Sequence, residues 1–313
     1  MGNELHVIFG TGPVGLATME VLAASGRQVR MVNRSGHADV PAGIELVSGD
    51  ASDHDFATRS ASRATVVYQA LNPPYHQWPE RFPRLQDSVV VAARASGAVL
   101  VSMENLYMYG PTGGTPMAEG SPFAPNTRKG EVRAAMARQL EAAHDRGDIR
   151  AVSVRASDFY GPRVLQSALG DRVFARILDG KAAQVLGKPD LPHTFTYVGD
   201  IARALVLAGS QPPAWGRAWH VPSDETVSTT QIINMIGEIA GLPARASSTP
   251  KLLLKVLGRF DTEVRELLEM LYEFEEPFIS DGRALQATFG FQPTPLRAAL
   301  EATVDWYRSR FKR

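Results

Sequence analysis

Short apolar runs and longer amphipathic ones take turns along the first half of the chain. Leu5-His6-Val7-Ile8-Phe9 predicts a strand, and after Gly10-Thr11-Gly12-Pro13-Val14-Gly15 an amphipathic run over residues 16–24 predicts a helix, closed by Ser25-Gly26. Glycine suits a helix C-cap because it adopts the left-handed conformation without a Cβ penalty. Further strands are predicted over residues 28–32, 44–47, 65–70, 98–103 and 151–155, with helices over 85–95 and 129–146 stopped by Gly97 and Gly147. The run at 65–70 is almost continuously apolar, as a parallel sheet covered on both faces requires. Strand and helix therefore alternate through six units, which predicts an α/β doubly wound parallel sheet.

Beyond Gly161 the rhythm loosens into proline, glycine and short helical pieces at 169–178, 200–208, 229–239 (with Ser228 as cap), 262–272 and 296–310. The division expected is a cofactor-binding domain over residues 1–160 and a smaller, mostly helical substrate-binding region over 161–313. The two interleave near 195–221, where a strand at 218–221 returns towards the main sheet. The Leu252-Leu253-Leu254 run has the profile of a core or subunit contact.

A strand, a glycine turn and a helix in that order make a phosphate-binding corner, since the turn leaves free amides at a helix N-terminus. Gly10 allows the tight turn, Gly12 lets backbone approach a pyrophosphate, and Gly15 permits helix to pack on strand. Pro13 suits a first helical turn. This gives a Rossmann-type domain that binds a nicotinamide dinucleotide. The cofactor path is predicted over Gly10, Thr11, Gly12, Pro13, Val14, Gly15, Asn33, Arg34, Asp50, Ala51, Ala70 and Asn72. Where NAD sites place an acid for the ribose 2′-hydroxyl, this chain has Asn33 and Arg34. A cation there favours the 2′-phosphate of NADP(H), with NAD(H) as the other choice and adenine stacking or solvent as other uses of Arg34. Asp50 has two readings, a contact to the adenine amino group or, like Asp53, a cap on the next helix.

Composition narrows the classes. Lys plus Arg and Asp plus Glu stand at 33 each, so the chain lacks the long-range positive field of a nucleic-acid binder. With no cysteine among 313 residues, disulfides, thiolate catalysis and cysteine-ligated zinc are excluded. The seven histidines show no metal-ligand spacing, so no metal is expected. No apolar run reaches the roughly 18 residues of a membrane span, and the chain enters its first strand without a leader-like stretch, so a cytoplasmic protein with a small-molecule substrate is expected.

The loop at the carboxyl end of the fourth strand, Leu71-Asn72-Pro73-Pro74-Tyr75-His76-Gln77-Trp78, lies where such sheets bind ligands. Tyr75 and Trp78 are candidates for a substrate mouth; aromatic packing on a proline-rich turn is the other reading. Past the fifth strand, Glu104, Asn105, Tyr107 and Tyr109 stand at the same edge.

Taken together, the turn at Gly10 to Gly15, Gly49-Asp50 with Asp53, Tyr109-Gly110, Arg155 with Tyr160-Gly161-Pro162, and Phe195-Thr196-Tyr197-Val198-Gly199-Asp200 resemble the extended short-chain dehydrogenase/reductase superfamily, in its epimerase/dehydratase branch. The resemblance implies a Tyr-Lys pair on the helix before the sixth strand as proton-transfer machinery. Counting by helix register, Lys129 and Arg133 stand in those places, Asn105 stands in the place of the family Ser, and no Tyr lies between 127 and 137. The glycine spacing, with Phe9 where a glycine is usual, resembles the atypical branch of reductases, epimerase-like enzymes and silent cofactor-binding sensors. Lys129, Tyr107, Arg133 and Asn105 are the catalytic candidates, a solvated helix face being the alternative for Lys129 and Arg133. In nucleotide-sugar members the positions of Tyr160, His193 and Tyr197 line the substrate cleft, although Asp158 replaces a usual Asn. The expected function is an NAD(P)-dependent oxidoreductase acting on a small carbonyl or enone. A non-catalytic NADP(H) redox sensor and a nucleotide-sugar epimerase/dehydratase are the alternatives, and a homodimer would be ordinary for the family.

Overall fold

The six predicted strands do pair, and their order explains why the glycine turn sits where it does. The computed structural model describes residues 4–311 apart from residue 249. The chain begins β1 (Leu5–Phe9), α1 (Pro13–Ala24), β2 (Gln28–Asn33), β3 (Glu45–Ser48), α2 (His54–Ser60), β4 (Ala64–Gln69), α3 (Trp78–Ser96), β5 (Val99–Glu104), α4 (Arg128–Asp145) and β6 (Arg150–Arg155). The main sheet has seven strands in the order Ala218–His220, β6, β5, β4, β1, β2, β3. Pairings among β1 to β6 are all parallel, with Phe9 level with Val32 on one side and Gln69 on the other. Chain direction along the sheet reverses between β1 and β4, which opens the crevice at the carboxyl ends of those two strands.

Two units divide the described chain, one of residues 4–108, 128–155 and 201–219, the other of residues 109–127, 156–200 and 220–311. In the first, Val7, Phe9, Val67, Val89, Leu100 and Leu140 meet in one apolar core between sheet and helices. Burial explains why β1 and β4 lack alternation: both faces are covered. In the second unit Leu169, Phe174, Ile232, Ile236, Leu300 and Tyr307 form a separate core. Helices Thr229–Ala240 and Leu296–Phe311 cover it, and a capping box at Ser228 and Gln231 starts the former. Three two-stranded pairs also run through this unit. Strands of two or three residues carry no legible periodicity, so the sequence showed this unit as mostly helical.

Several element boundaries differ from expectation. Helix α3 starts at Trp78 instead of residue 85, because Pro79 occupies its first turn, where the missing amide has no helical partner. The piece expected at 169–178 is helical only over Phe174–Leu178, since Gly170 and Asp171 turn back to hydrogen-bond Ser167 and Leu165. Helix α1 is not amphipathic: six consecutive residues, Val14 to Met19, are buried. Of the 252–254 run, Leu254 is buried and Leu252 exposed. No helix among the described residues is long and apolar enough to cross a membrane.

Candidate cofactor and active site

At the crevice the glycine turn is packed from below and open above. Gly10 has φ +113°, and a Cβ there would lie 2.5 Å from the Ala70 carbonyl oxygen, so β4 presses directly on the turn. A Cβ on Gly15 would run into the Gly10 carbonyl oxygen. Gly12 is different: nothing stands within 4 Å of where its Cβ would be. Gly12 is also the N-cap of α1 and supplies no side chain to the amides of that helix, while Pro13 follows it and Val14 and Gly15 are buried. Two of the glycines are thus needed by the fold itself, and the third keeps space in front of an uncapped helix N-terminus, the geometry that receives a pyrophosphate. The residues present therefore fit a dinucleotide.

Asn33, at the end of β2, uses its side chain within the protein. Its Nδ2 donates to Thr11 Oγ1 and to the His37 carbonyl, both at 2.9 Å, and its Oδ1 accepts the Gly36 amide at 2.8 Å. It ties the glycine turn to the loop that carries Arg34, which is exposed. Asp53 is the cap of α2, accepting the Asp55 and Phe56 amides. Asp50 accepts the Ser52 amide and hydroxyl at 2.9 and 2.8 Å. Those bonds, helped by the charges of Arg81 and Arg34, hold its carboxyl below the usual carboxylate range. Beside it Ala51 is buried, while Ala70 is half-buried and Asn72 exposed beyond the end of β4.

The catalytic candidates come together in the first unit. Tyr107 is 7% exposed, and its hydroxyl lies 2.8 Å from that of Tyr75. Trp78, which donates its indole N–H to the Pro73 carbonyl at 2.9 Å, is stacked on Tyr107 and meets Tyr75 edge-on. The Lys129 ammonium sits 5.2 Å from the centre of the Tyr75 ring. Lys129 and Arg133, one turn apart on α4, are both buried, which rules out a solvated helix face. Arg133 lies over the Phe82 ring at 4.9 Å and donates to the Met103 carbonyl at 3.3 Å. Burial pushes its guanidinium below the ordinary arginine value, the Glu104 charge opposing and the Arg155 charge reinforcing that shift. Asn105 accepts the Tyr107 amide through a long 3.4 Å contact.

Glu104, which the sequence placed at this edge, is held in the interior. Its Oε2 pairs with Arg155 at 2.8 Å and its Oε1 accepts the Ser153 hydroxyl at 3.1 Å, while Arg155 also reaches Glu141 at 3.1 Å. Arg155 thus pairs directly with the buried Glu104 carboxylate, and the buried Arg133 feels its charge.

The other candidates belong to the second unit. Tyr160 is buried in its core, stacked on Phe174, and burial with the charge of Asp200 raises its phenol. Tyr197 is half-buried against it. His193 is buried between Phe195, Phe274 and Phe278, its Nε2 3.0 Å from Asp158 Oδ2. The departure at Asp158 thus has a local partner, which sequence reasoning missed because 35 positions separate the two residues. The Tyr75 to Tyr107 contact was missed for the same reason: they follow different strands. Among the described residues no group of His, Asp and Glu could hold a metal ion.

The sequence matches the NAD dependent epimerase/dehydratase family over residues 7–220. It is similar to the 2-alkyl-3-oxoalkanoate reductase of Shewanella oneidensis, with 24% identity over 292 residues, 86% of this chain and 73% of that protein. The structure of UDP-glucose 4-epimerase from Thermotoga maritima with UDP-glucose has a TM-score of 0.81 at 16% identity, covering 98% of this chain and 99% of that one. UDP-glucuronic acid 4-epimerase from Bacillus cereus in complex with NAD has a TM-score of 0.77 at 17% identity, covering 98% and 99%.

Proposed function

This chain belongs to the NAD dependent epimerase/dehydratase family, and from that premise we propose that it is an NADP(H)-dependent reductase of a small carbonyl or enone. The observation that carries the reading is the glycine turn, in which Gly12 alone is free of steric duty to the fold and stands at an uncapped helix N-terminus. The Val14 and Gly15 amides hold the pyrophosphate there, with Gly10, Thr11, Gly12 and Pro13 shaping the turn. Arg34, exposed at the end of β2 where no acid stands, takes the 2′-phosphate, and Asp50 and Ala51 take the adenine side. Ala70 and Asn72 border the path along the end of β4. Bound along that edge, a reduced nicotinamide supplies hydride.

What the chain itself must supply is a proton for the developing alkoxide and a field that tolerates its charge. Helix α4 contains no Tyr. The proton source is instead sought in the cluster that Lys129 and Tyr107 form with Tyr75, while buried Arg133 contributes positive charge and Asn105 orients the Tyr107 backbone. Reduction is favoured over sugar epimerisation for two reasons. Transient oxidation of a sugar alcohol needs an efficient general base, for which α4 offers no tyrosine, and the Shewanella relative is named for reducing a 3-oxo acid. Tyr75 and Trp78 are the substrate-binding candidates of the first unit; Tyr160, His193 and Tyr197 are those of the second. Trp78, Tyr160 and His193 act from behind the surface, being buried.

The test is a pair of fluorescence titrations with NADPH and NADH, followed by NADPH oxidation across ketones, enones, 3-oxo acids and nucleotide sugars. Tighter binding of NADPH and turnover of the first three classes are expected. Arg34→Asp is expected to weaken NADPH by about tenfold or more while leaving NADH near its original affinity, one charge-assisted contact being worth about 1.5 to 3 kcal/mol. Equal loss for both coenzymes would remove Arg34 from the 2′-phosphate. Binding of NADPH without any turnover would turn the reading into that of a sensor.

A further inference from the structure

We infer that Tyr75, from the loop after β4, is the terminal proton donor of this site, with Tyr107 a positioning residue behind it. The inference rests on the reductase reading and assigns the acid within it.

Three observations lead there. First, the two phenols form a pair with hydroxyls 2.8 Å apart, and their environments are unequal: Tyr107 is buried, Tyr75 half-buried and therefore the one open to a substrate. Second, the pair is preorganised. Trp78 is stacked on Tyr107 at 6.0 Å and edge-on to Tyr75 at 4.9 Å, and its own N–H is anchored on Pro73. A loop braced in this way holds a donor in place without the ordering cost that a mobile side chain would carry. Third, the Lys129 ammonium lies 5.2 Å from the centre of the Tyr75 ring, which places a cation beside the proposed donor. Helix α4 carries Lys129 and no tyrosine, so a phenolic acid for this site comes from another element.

The carbonyl carbon accepts hydride from the reduced nicotinamide, and the C=O π pair moves onto oxygen. That oxygen forms a bond to the Tyr75 hydroxyl proton, and the O–H pair stays on Tyr75 as phenolate. The Tyr107 hydroxyl donates a hydrogen bond to this phenolate, Lys129 offsets its charge, and water at the half-exposed Tyr75 returns the proton.

The experiment compares wild type, Tyr75→Phe and Tyr107→Phe in three measurements. NADPH binding by fluorescence is expected within about twofold of wild type in both variants. Turnover with the best substrate of the panel is expected to fall about 100-fold or more in kcat for Tyr75→Phe, the usual worth of a general acid. Tyr107→Phe is expected to lose about tenfold and to displace the basic limb of its pH–rate profile, which a packing role alone would not move. Ultraviolet titration of the cofactor-free protein gives a readout independent of activity: each substitution is expected to shift the phenolate step of the remaining member of the pair. Retained turnover in Tyr75→Phe, or titrations in which the two phenols ignore one another, would overturn the assignment and leave the reductase reading standing. Absence of NADPH binding or of turnover in wild type would overturn both.

Discussion

Burial rewrites what a single residue can do. His6 looks in the sequence like one more residue of an apolar strand, and in the fold it is 3% exposed, its Nδ1 3.1 Å from the Tyr68 hydroxyl and its Nε2 without a partner among the described residues. Burial pushes its pKa down from 6.5 to about 4. The folded protein therefore binds fewer protons than the unfolded chain between those two values. Stability that is complete above pH 6.5 is lost as pH falls towards 4. The loss is on the order of 2 to 3 kcal/mol. His6→Gln is expected to flatten the acid limb of a plot of urea midpoint against pH between 7 and 4.5; an unchanged limb would show that other groups produce it. Lys129 is the opposite lesson. Its residue type and register were legible, but whether it faced water or the interior was not, because burial depends on Tyr75 and its neighbours, which lie far away in sequence.

The strand, turn and helix at the start of the chain were legible because each local choice agreed with the same geometry. The roles of the three glycines were legible only as a motif, and the structure separates them. Gly15→Ala forces a Cβ into the Gly10 carbonyl, so a loss of about 1 to 3 kcal/mol by denaturant unfolding is expected. Gly12→Ala meets nothing within 4 Å, so it is expected to cost only the loss of a glycine N-cap, about 0.5 to 1 kcal/mol, and less than Gly15→Ala. Its NADPH affinity is nevertheless expected to fall about tenfold or more, since the methyl occupies the space left for phosphate. Loss of stability in Gly12→Ala to the degree of Gly15→Ala would contradict that division of labour. Helix α3 shows the limit of element-level reading: two prolines and an aromatic cluster look like a loop, and only docking of Trp78 beneath the loop after β4 makes the first turn worth forming.

For the molecule as a whole, a ligand that binds only the folded state stabilises it by mass action. At about 100 times Kd the gain is about 2.7 kcal/mol. NADPH at a fixed concentration is thus expected to raise the melting temperature by several degrees and by more than NADH does, and equal shifts would argue against a 2′-phosphate contact. By itself the sequence determined the alternation of strand and helix, the doubly wound sheet, the place of the glycine turn and the absence of cysteine chemistry. These follow from local periodicity, glycine stereochemistry and composition. Tertiary structure alone decided that Ala218–His220 lies beside β6, that Asn33 is a brace, that Asp158 meets His193, and that Tyr75 and Tyr107 share a hydrogen bond. Each of those outcomes joins residues on separate elements, and such pairings are set by how the layers close over a common core, which no window of neighbouring residues contains.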